Sequence, residues 1–154
     1  IQYCTKRIAY QILESNINNK EIFLVGIADN GSVFAKEIDK ILSKITQIKI
    51  TILKLKVDKK RPGNKISLDF NIKNLEHKSV VIVDDVLNTG LVLSHSLKFL
   101  LTVHIEQIKI AVLVNREHNK FPVKADFKGI SLSTSVNETV KVNLKGKQIG
   151  IYLI

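Results

Sequence analysis

Residues 80–90 read Val80-Val81-Ile82-Val83-Asp84-Asp85-Val86-Leu87-Asn88-Thr89-Gly90, and the fold turns on this stretch. A continuous β-branched apolar run predicts a strand buried on both faces, as in a parallel sheet covered by helices. Two adjacent carboxylates stand at its carboxy end, an Asn-Thr-Gly turn follows, and Leu93, Leu97, Leu100 and Leu101 then recur at helical spacing. Open α/β sheets bind ligands outside the carboxyl ends of their strands, so the polar chemistry stands where such a fold binds things. Amides of a glycine-containing turn, backed by a helix N-terminus, form a concavity suited to phosphate. Asp84 and Asp85 suit sugar hydroxyls or a hydrated Mg²⁺. A phosphorylated ribose uses both halves; the plainer alternative is a solvated or metal-binding acidic pair on a generic doubly wound strand.

Working outward, Ile8, Ala9, Ile12 and Leu13 form one apolar helical face within residues 6–15. Ile22 to Ile27 is a second continuous apolar run and a second buried strand. Ala28-Asp29-Asn30-Gly31 reads as a turn, with Ser32 as the cap of a helix that carries Phe34, Ala35, Ile38, Ile41 and Leu42 on one side. Residues 48–57 alternate as a strand with one less buried face, and residues 66–72 as a short or edge strand. Between them Asp58 to Lys65 holds no apolar side chain, and predicts a mobile basic loop that is either simply solvated or closes over a polyphosphate. Gln107 to Val114 is another buried strand, and strand candidates near residues 140–144 and 149–153 end the chain. The expected architecture is α/β: one domain over residues 1–154, with a central, mostly parallel sheet flanked by helices and a small β-rich part at the C-terminus.

At 154 residues the chain is long enough to bury a substantial core. No apolar run approaches a membrane span, no secretion-signal pattern is present, and a lone Cys4 forms no internal disulfide. These features fit a soluble cytoplasmic protein with no membrane partner. The formal charge of +10 favours anionic partners, whether phosphorylated metabolites or nucleic acid. Almost all of it is lysine set among isoleucine and asparagine, a pattern that AT-rich codon usage also produces.

Residues 80–90 resemble the phosphoribosyl-pyrophosphate (PRPP) signature of type I phosphoribosyltransferases: apolar residues, an acidic pair, then Thr-Gly. The segments Lys6-Arg7-Ile8-Ala9, Leu24-Val25-Gly26-Ile27, Ala111 to Arg116, His118 and Phe121 to Gly129 extend the likeness over nearly the whole chain. They are most similar to the branch of pyrimidine-operon attenuation regulators that are also uracil phosphoribosyltransferases. The resemblance implies a parallel core sheet with a small hood, Mg²⁺ bound with PRPP, a nucleobase as second substrate, and a homodimer. It implies that Asp84 and Asp85 hold the ribose hydroxyls, and that Leu87, Asn88, Thr89, Gly90, Leu91 and Val92 form the 5′-phosphate loop. It further implies Ala28, Asp29, Asn30 and Gly31 as the pyrophosphate loop, Lys59, Lys60 and Arg61 in the flexible loop, and Lys124, Ala125 and Asp126 near the base. Lys6, Arg7 and Tyr10 fall in the stretch that resembles an RNA-contacting face; a solvated amphipathic helix is the alternative.

Three positions depart from the family pattern and bear on turnover. Val92 stands where a hydroxyl side chain usually helps hold the phosphate, and its absence costs about 1.5–3 kcal/mol, or roughly ten- to a hundredfold in affinity. Leu91 replaces an arginine usual in the uracil branch. Asp29 puts a negative charge in a loop expected to receive a dianion. Arg116 and His118 invite catalytic readings, but ribosyl transfer is governed by charge stabilisation more than by acid–base groups.

Overall fold

The computed structural model describes residues 1–135 and 137–154. Strand β1 (Glu21–Ile27) lies beside β2 (Lys49–Lys56) and β4 (Ser79–Leu87), and β4 lies beside β5 (Gln107–Asn115), all in parallel. The edges are β3 (Ser67–Leu68), antiparallel to β2, and β6 (Phe127–Ser131), parallel to β5, giving the order β3-β2-β1-β4-β5-β6. Helices α1 (Gln2–Glu14) and α2 (Ala28–Ile45) cover one face, and α3 (Leu91–Leu100) covers the other. The final strands β7 (Val140–Asn143) and β8 (Gly150–Leu153) pair antiparallel as a separate small sheet.

Residues 80–83 explain the layering. Side chains alternate across a strand. Val81 and Val83 therefore pack with Ile8, Ile12, Phe34 and Ile38 beneath α1 and α2, whereas Val80 and Ile82 pack with Leu93, Leu100 and Leu75 on the opposite face. A strand clad by helices on both sides has no face left for polar residues, and Val80 to Val83 are fully buried. Polar side chains stand only toward the ends of β4: Ser79 at its start, donating to Asn16 Oδ1, and Asp84 and Asp85 near its carboxy end. β2 is clad likewise: Ile50 and Ile52 pack toward α2, and Leu53 and Leu55 are buried on the other side.

Two expectations change, and one strand is added. Ala28 to Gly31 is not a turn, and Ser32 is not a cap: β1 runs straight into α2, whose first turn is Ala28 to Gly31. The sharp junction is made by Ala28 at φ +49°, a left-handed conformation uncommon for a residue bearing a Cβ, while the Ser32 hydroxyl donates back to the Ala28 carbonyl at 2.6 Å. Residues 66–72 hold only the two-residue β3, followed by a 3-10 turn at Ile72–Leu75 that Asn71 caps through the Lys73 amide. Residues 127–131 join the main sheet as its sixth strand, β6.

Gly31 sets how closely α2 approaches β4. A Cβ there would lie 2.5 Å from the Val83 carbonyl oxygen and 3.2 Å from Asp84 Cα, both backbone atoms. Gly31→Ala therefore forces α2 away from the strand beside the acidic pair. Overpacking of this kind costs about 1–3 kcal/mol, so urea unfolding should show a lower midpoint with an unchanged slope; an unchanged midpoint would refute the close packing described.

Candidate functional site

β4 ends in a cleft of about 320 Å³, walled by Asp84, Asp85, the residue 87–93 turn, Lys59, Arg116 and the start of β7. The acidic pair lies deep, its side chains 4% and 10% exposed. Lys59 reaches in from the basic loop, its Nζ 3.0 Å from Asp84 Oδ1 and 3.2 Å from Asp85 Oδ1. Asn30, in the first turn of α2, donates to Asp85 Oδ2 at 2.7 Å and to the Val142 carbonyl at 3.2 Å, tying the acidic pair to the small C-terminal sheet.

Electrostatics split the two carboxyls. Burial pushes Asp84 up, beyond what Lys59 can offset, and the neighbouring Asp85 charge adds to the effect, so its pKa lies at about 7. Asp85 is also opposed by burial, yet stays below the usual carboxylate range because Asp84, the Lys59 ammonium and the Asn30 amide all stabilise its charged form. Lys59 loses hydration on entering the cleft, but the two carboxylates more than compensate and its pKa rises. Near neutral pH Asp84 is therefore partly protonated, whereas Asp85 carries its charge.

The 87–92 turn has the form of an anion cradle. Gly90 adopts φ +86° as the residue before α3. The Leu91 amide reaches Thr89 Oγ1 at 3.3 Å, and the next amides of α3 have no intrahelical partner. The Thr89 carbonyl accepts from the Lys120 and Phe121 amides at 2.9 and 3.1 Å, so the segment after β5 buttresses the turn from behind. The Val92 side chain packs into the α3 core and supplies no donor. Its backbone remains part of the cradle.

Other candidate residues are placed differently. The Asp29 carboxylate is 86% exposed and paired with Lys54 Nζ at 2.7 Å on the β2 side. That ion pair, first through its hydrogen bond and then through charge, holds Asp29 below the usual carboxylate range. Lys60 and Arg61 are exposed, and their amides cap onto Asp58 at 2.9 and 3.3 Å. Lys124 and Ala125 are not brought to the cleft: they line a separate depression with Asn115, Glu117 and Lys128. Asp126 accepts from the Ile110 amide at 2.8 Å, where β6 begins. On α1, Lys6 and Tyr10 face outward, but the Arg7 guanidinium donates to the Lys128 and Gly129 carbonyls and fastens α1 to β6.

Arg116 is the cleft residue whose role the sequence conceals. It follows β5 directly, is 6% exposed, and donates through Nη1 to Asn88 Oδ1 at 3.1 Å. The available signal is its position, one residue past β5, whose run from Ile110 to Val114 is continuously apolar, at the carboxyl edge of the sheet. His118 sits nearby, its Nε2 2.6 Å from the Thr134 carbonyl oxygen. Cys4 is a half-buried free thiol.

A mostly parallel sheet with an acidic pair and a Thr-Gly turn at the end of one central strand defines a phosphoribosyltransferase-type α/β fold. Residues 4–145 match the phosphoribosyl transferase domain, and the chain belongs to that family. It is 37% identical over 155 residues to the bifunctional protein PyrR of Staphylococcus epidermidis, spanning 94% of this chain and 87% of that one. It is 33% identical over 151 residues to the bifunctional protein PyrR of Leuconostoc mesenteroides, spanning 92% and 85%. Among solved structures, the hypoxanthine phosphoribosyltransferase of Trypanosoma cruzi superposes with a TM-score of 0.77 at 18% identity, over 90% of this chain and 79% of that one. A Bacillus anthracis hypoxanthine-guanine phosphoribosyltransferase gives 0.74 at 21% identity, over 90% and 79%. Among the described residues no helix is long and apolar enough to cross a membrane.

The raised pKa of Asp84 makes a signed prediction. The carboxyl's ordinary value of 3.8 rises to about 7 in the fold. Below both values it is neutral in either state and adds no pH dependence; between them the unfolded state loses its proton first, so stability falls as pH rises, and above about 7 the penalty is constant. Asp84→Asn removes this penalty. The variant should gain on the wild type across that window, by on the order of 1–4 kcal/mol, in thermal unfolding followed from acidic to mildly alkaline pH. An advantage that shrinks as pH rises would contradict the assignment.

Proposed function

We propose that the protein transfers a phosphoribosyl group from PRPP to a nucleobase, with uracil as the base, and releases pyrophosphate. The observation that carries this reading is the joining of a buried carboxylate pair and a phosphate-sized turn, on one strand end, around one cleft. Asp84 and Asp85 would accept the ribose 2′- and 3′-hydroxyls, and residues 87–92 would take the 5′-phosphate. Two anchors on either side of C1′ fix the sugar, and such positioning lowers the barrier by removing translational and rotational freedom. The bond from C1′ to the pyrophosphate oxygen breaks with its electron pair leaving on pyrophosphate, a bond from the base nitrogen to C1′ forms, and the N–H proton of the base is released. The preference for uracil and the expectation of a dimer rest on the sequence resemblance.

Mg²⁺ fits the donor chemistry. Among the described residues no cluster of His, Cys, Asp and Glu could hold a metal ion unaided; Mg²⁺ characteristically takes one or two carboxylates and completes its shell with water and substrate phosphates. Asp84 and Asp85 are the carboxylates that would contact it, directly or through water. When bound with PRPP it supplies charge neutralisation on the leaving pyrophosphate. Lys59 now lies on the same carboxylates, so ribose binding must release it; the freed ammonium, on a basic loop, would then meet the pyrophosphate. The first turn of α2, where Asp29 is exposed and the N-terminal amides have no intrahelical partner, is the surface this reading assigns to pyrophosphate.

A second reading is favoured by Leu91, Val92 and the Lys59 bridge: a nucleotide-binding regulator with weak or no turnover, which binds RNA. The two separate in one assay. Incubation with PRPP, Mg²⁺ and a panel of bases should give uridine monophosphate and stoichiometric pyrophosphate, and Asp85→Asn should lower the rate about ten- to a hundredfold through loss of a charged hydrogen-bond acceptor. Tight nucleotide binding with no pyrophosphate release would select the regulator; absence of both would remove the two readings together.

A further inference from the structure

The ion pairs of the described residues involve lysines, and Arg116 is in none of them. Its buried guanidinium meets only neutral oxygens. Nε and Nη2 donate to Thr134 Oγ1 at 3.1 and 3.0 Å, Nη2 donates also to the Glu138 carbonyl at 2.6 Å and the Ser135 carbonyl at 3.4 Å, and Nη1 donates to Asn88 Oδ1 at 3.1 Å. The Glu138 carboxylate instead accepts from the Ser135 amide at 2.6 Å. The two cleft carboxylates are bridged by Lys59. A buried cation without an anion is costly to maintain. A site that bears such a cost beside an open cleft is one whose counter-ion arrives with the ligand.

We propose that Arg116 is a positioning residue that makes the cleft select phosphorylated over unphosphorylated ligands. Its location gives it two functions. Through Asn88 it fixes the turn that would take the phosphate, and through Thr134 and Glu138 it fastens to that turn the chain leading into β7, which borders the same cleft. Its uncompensated charge is balanced only when an anion occupies the turn, so phosphate binding and the ordering of this wall are coupled. Arginine suits the task because its planar fork bonds several acceptors while keeping its charge at every accessible pH. The inference deepens the reading of the cleft as a nucleotide site and rests on it for the identity of the natural ligand.

The test uses inorganic phosphate and, separately, uridine 5′-monophosphate as probes, with thermal unfolding and calorimetry on the wild type, R116K and R116Q. Both probes should raise the wild-type melting temperature. R116Q should lose that shift and bind on the order of tenfold or more weakly, whereas R116K should keep the larger part of it. A merely structural arginine would lower the melting temperature of both ligand-free variants and leave the ligand-induced shift intact; that result overturns the proposal. If R116Q fails to fold, the wild type still decides: the guanidinium Nε–H resonance absent from the R116K spectrum should move when phosphate is added, and an unmoved resonance overturns the proposal. An Arg116-dependent response to phosphate without binding of uridine monophosphate would keep this inference and remove the nucleotide reading. Uridine monophosphate binding indifferent to R116Q would do the reverse.

Discussion

Two carboxyl groups carried into a nearly dry strand end by a run of valine and isoleucine are the constraint around which the rest of the site is arranged. Burial works against their ionisation, and a lone ammonium, Lys59, with one amide, Asn30, holds the charged member in place. That arrangement explains why the basic segment, folded locally on Asp58, sends Lys59 inward to the pair. It also explains why α2 must approach β4 as closely as Gly31 allows, since its first turn carries Asn30 to the pair. A buried acidic pair kept partly protonated and bridged by one lysine costs stability.

The same strand end couples the two halves of the cleft. Asp85 is joined through Asn30 to β7, and Asn88 is joined through Arg116 to the chain that precedes β7. The small C-terminal sheet is therefore held by polar contacts to both the acidic pair and the 87–92 turn. Its apolar residues Val140 and Val142 complete the packing against the α1 and α2 layer.

Much of this was legible in the residues themselves. Val80 to Val83 could be read as a strand buried on both faces because no polar side chain interrupts the run, and the Asp-Asp and Asn-Thr-Gly that follow carry their own chemistry. Ala28 to Gly31 misled because Asp, Asn and Gly are turn formers, while the helix start was settled by packing of α2 on β4 and an alanine at positive φ. β6 was missed because Phe127 to Ser131 is short and alternates with lysine and serine; the edge of the sheet, absent from any local window, makes it a strand. Lys59 and Arg116 lie 25 residues before Asp84 and 28 after Asn88, and no periodicity links residues at such separations.

The central claim is that this strand end binds a phosphorylated ribose. Calorimetric titration of PRPP with Mg²⁺ into the wild-type protein tests it most directly. The account predicts saturable binding at one ligand per chain, with ribose 5-phosphate bound more weakly and ribose not detectably. Absence of saturable heat with PRPP, or equal binding of ribose and ribose 5-phosphate, would contradict it.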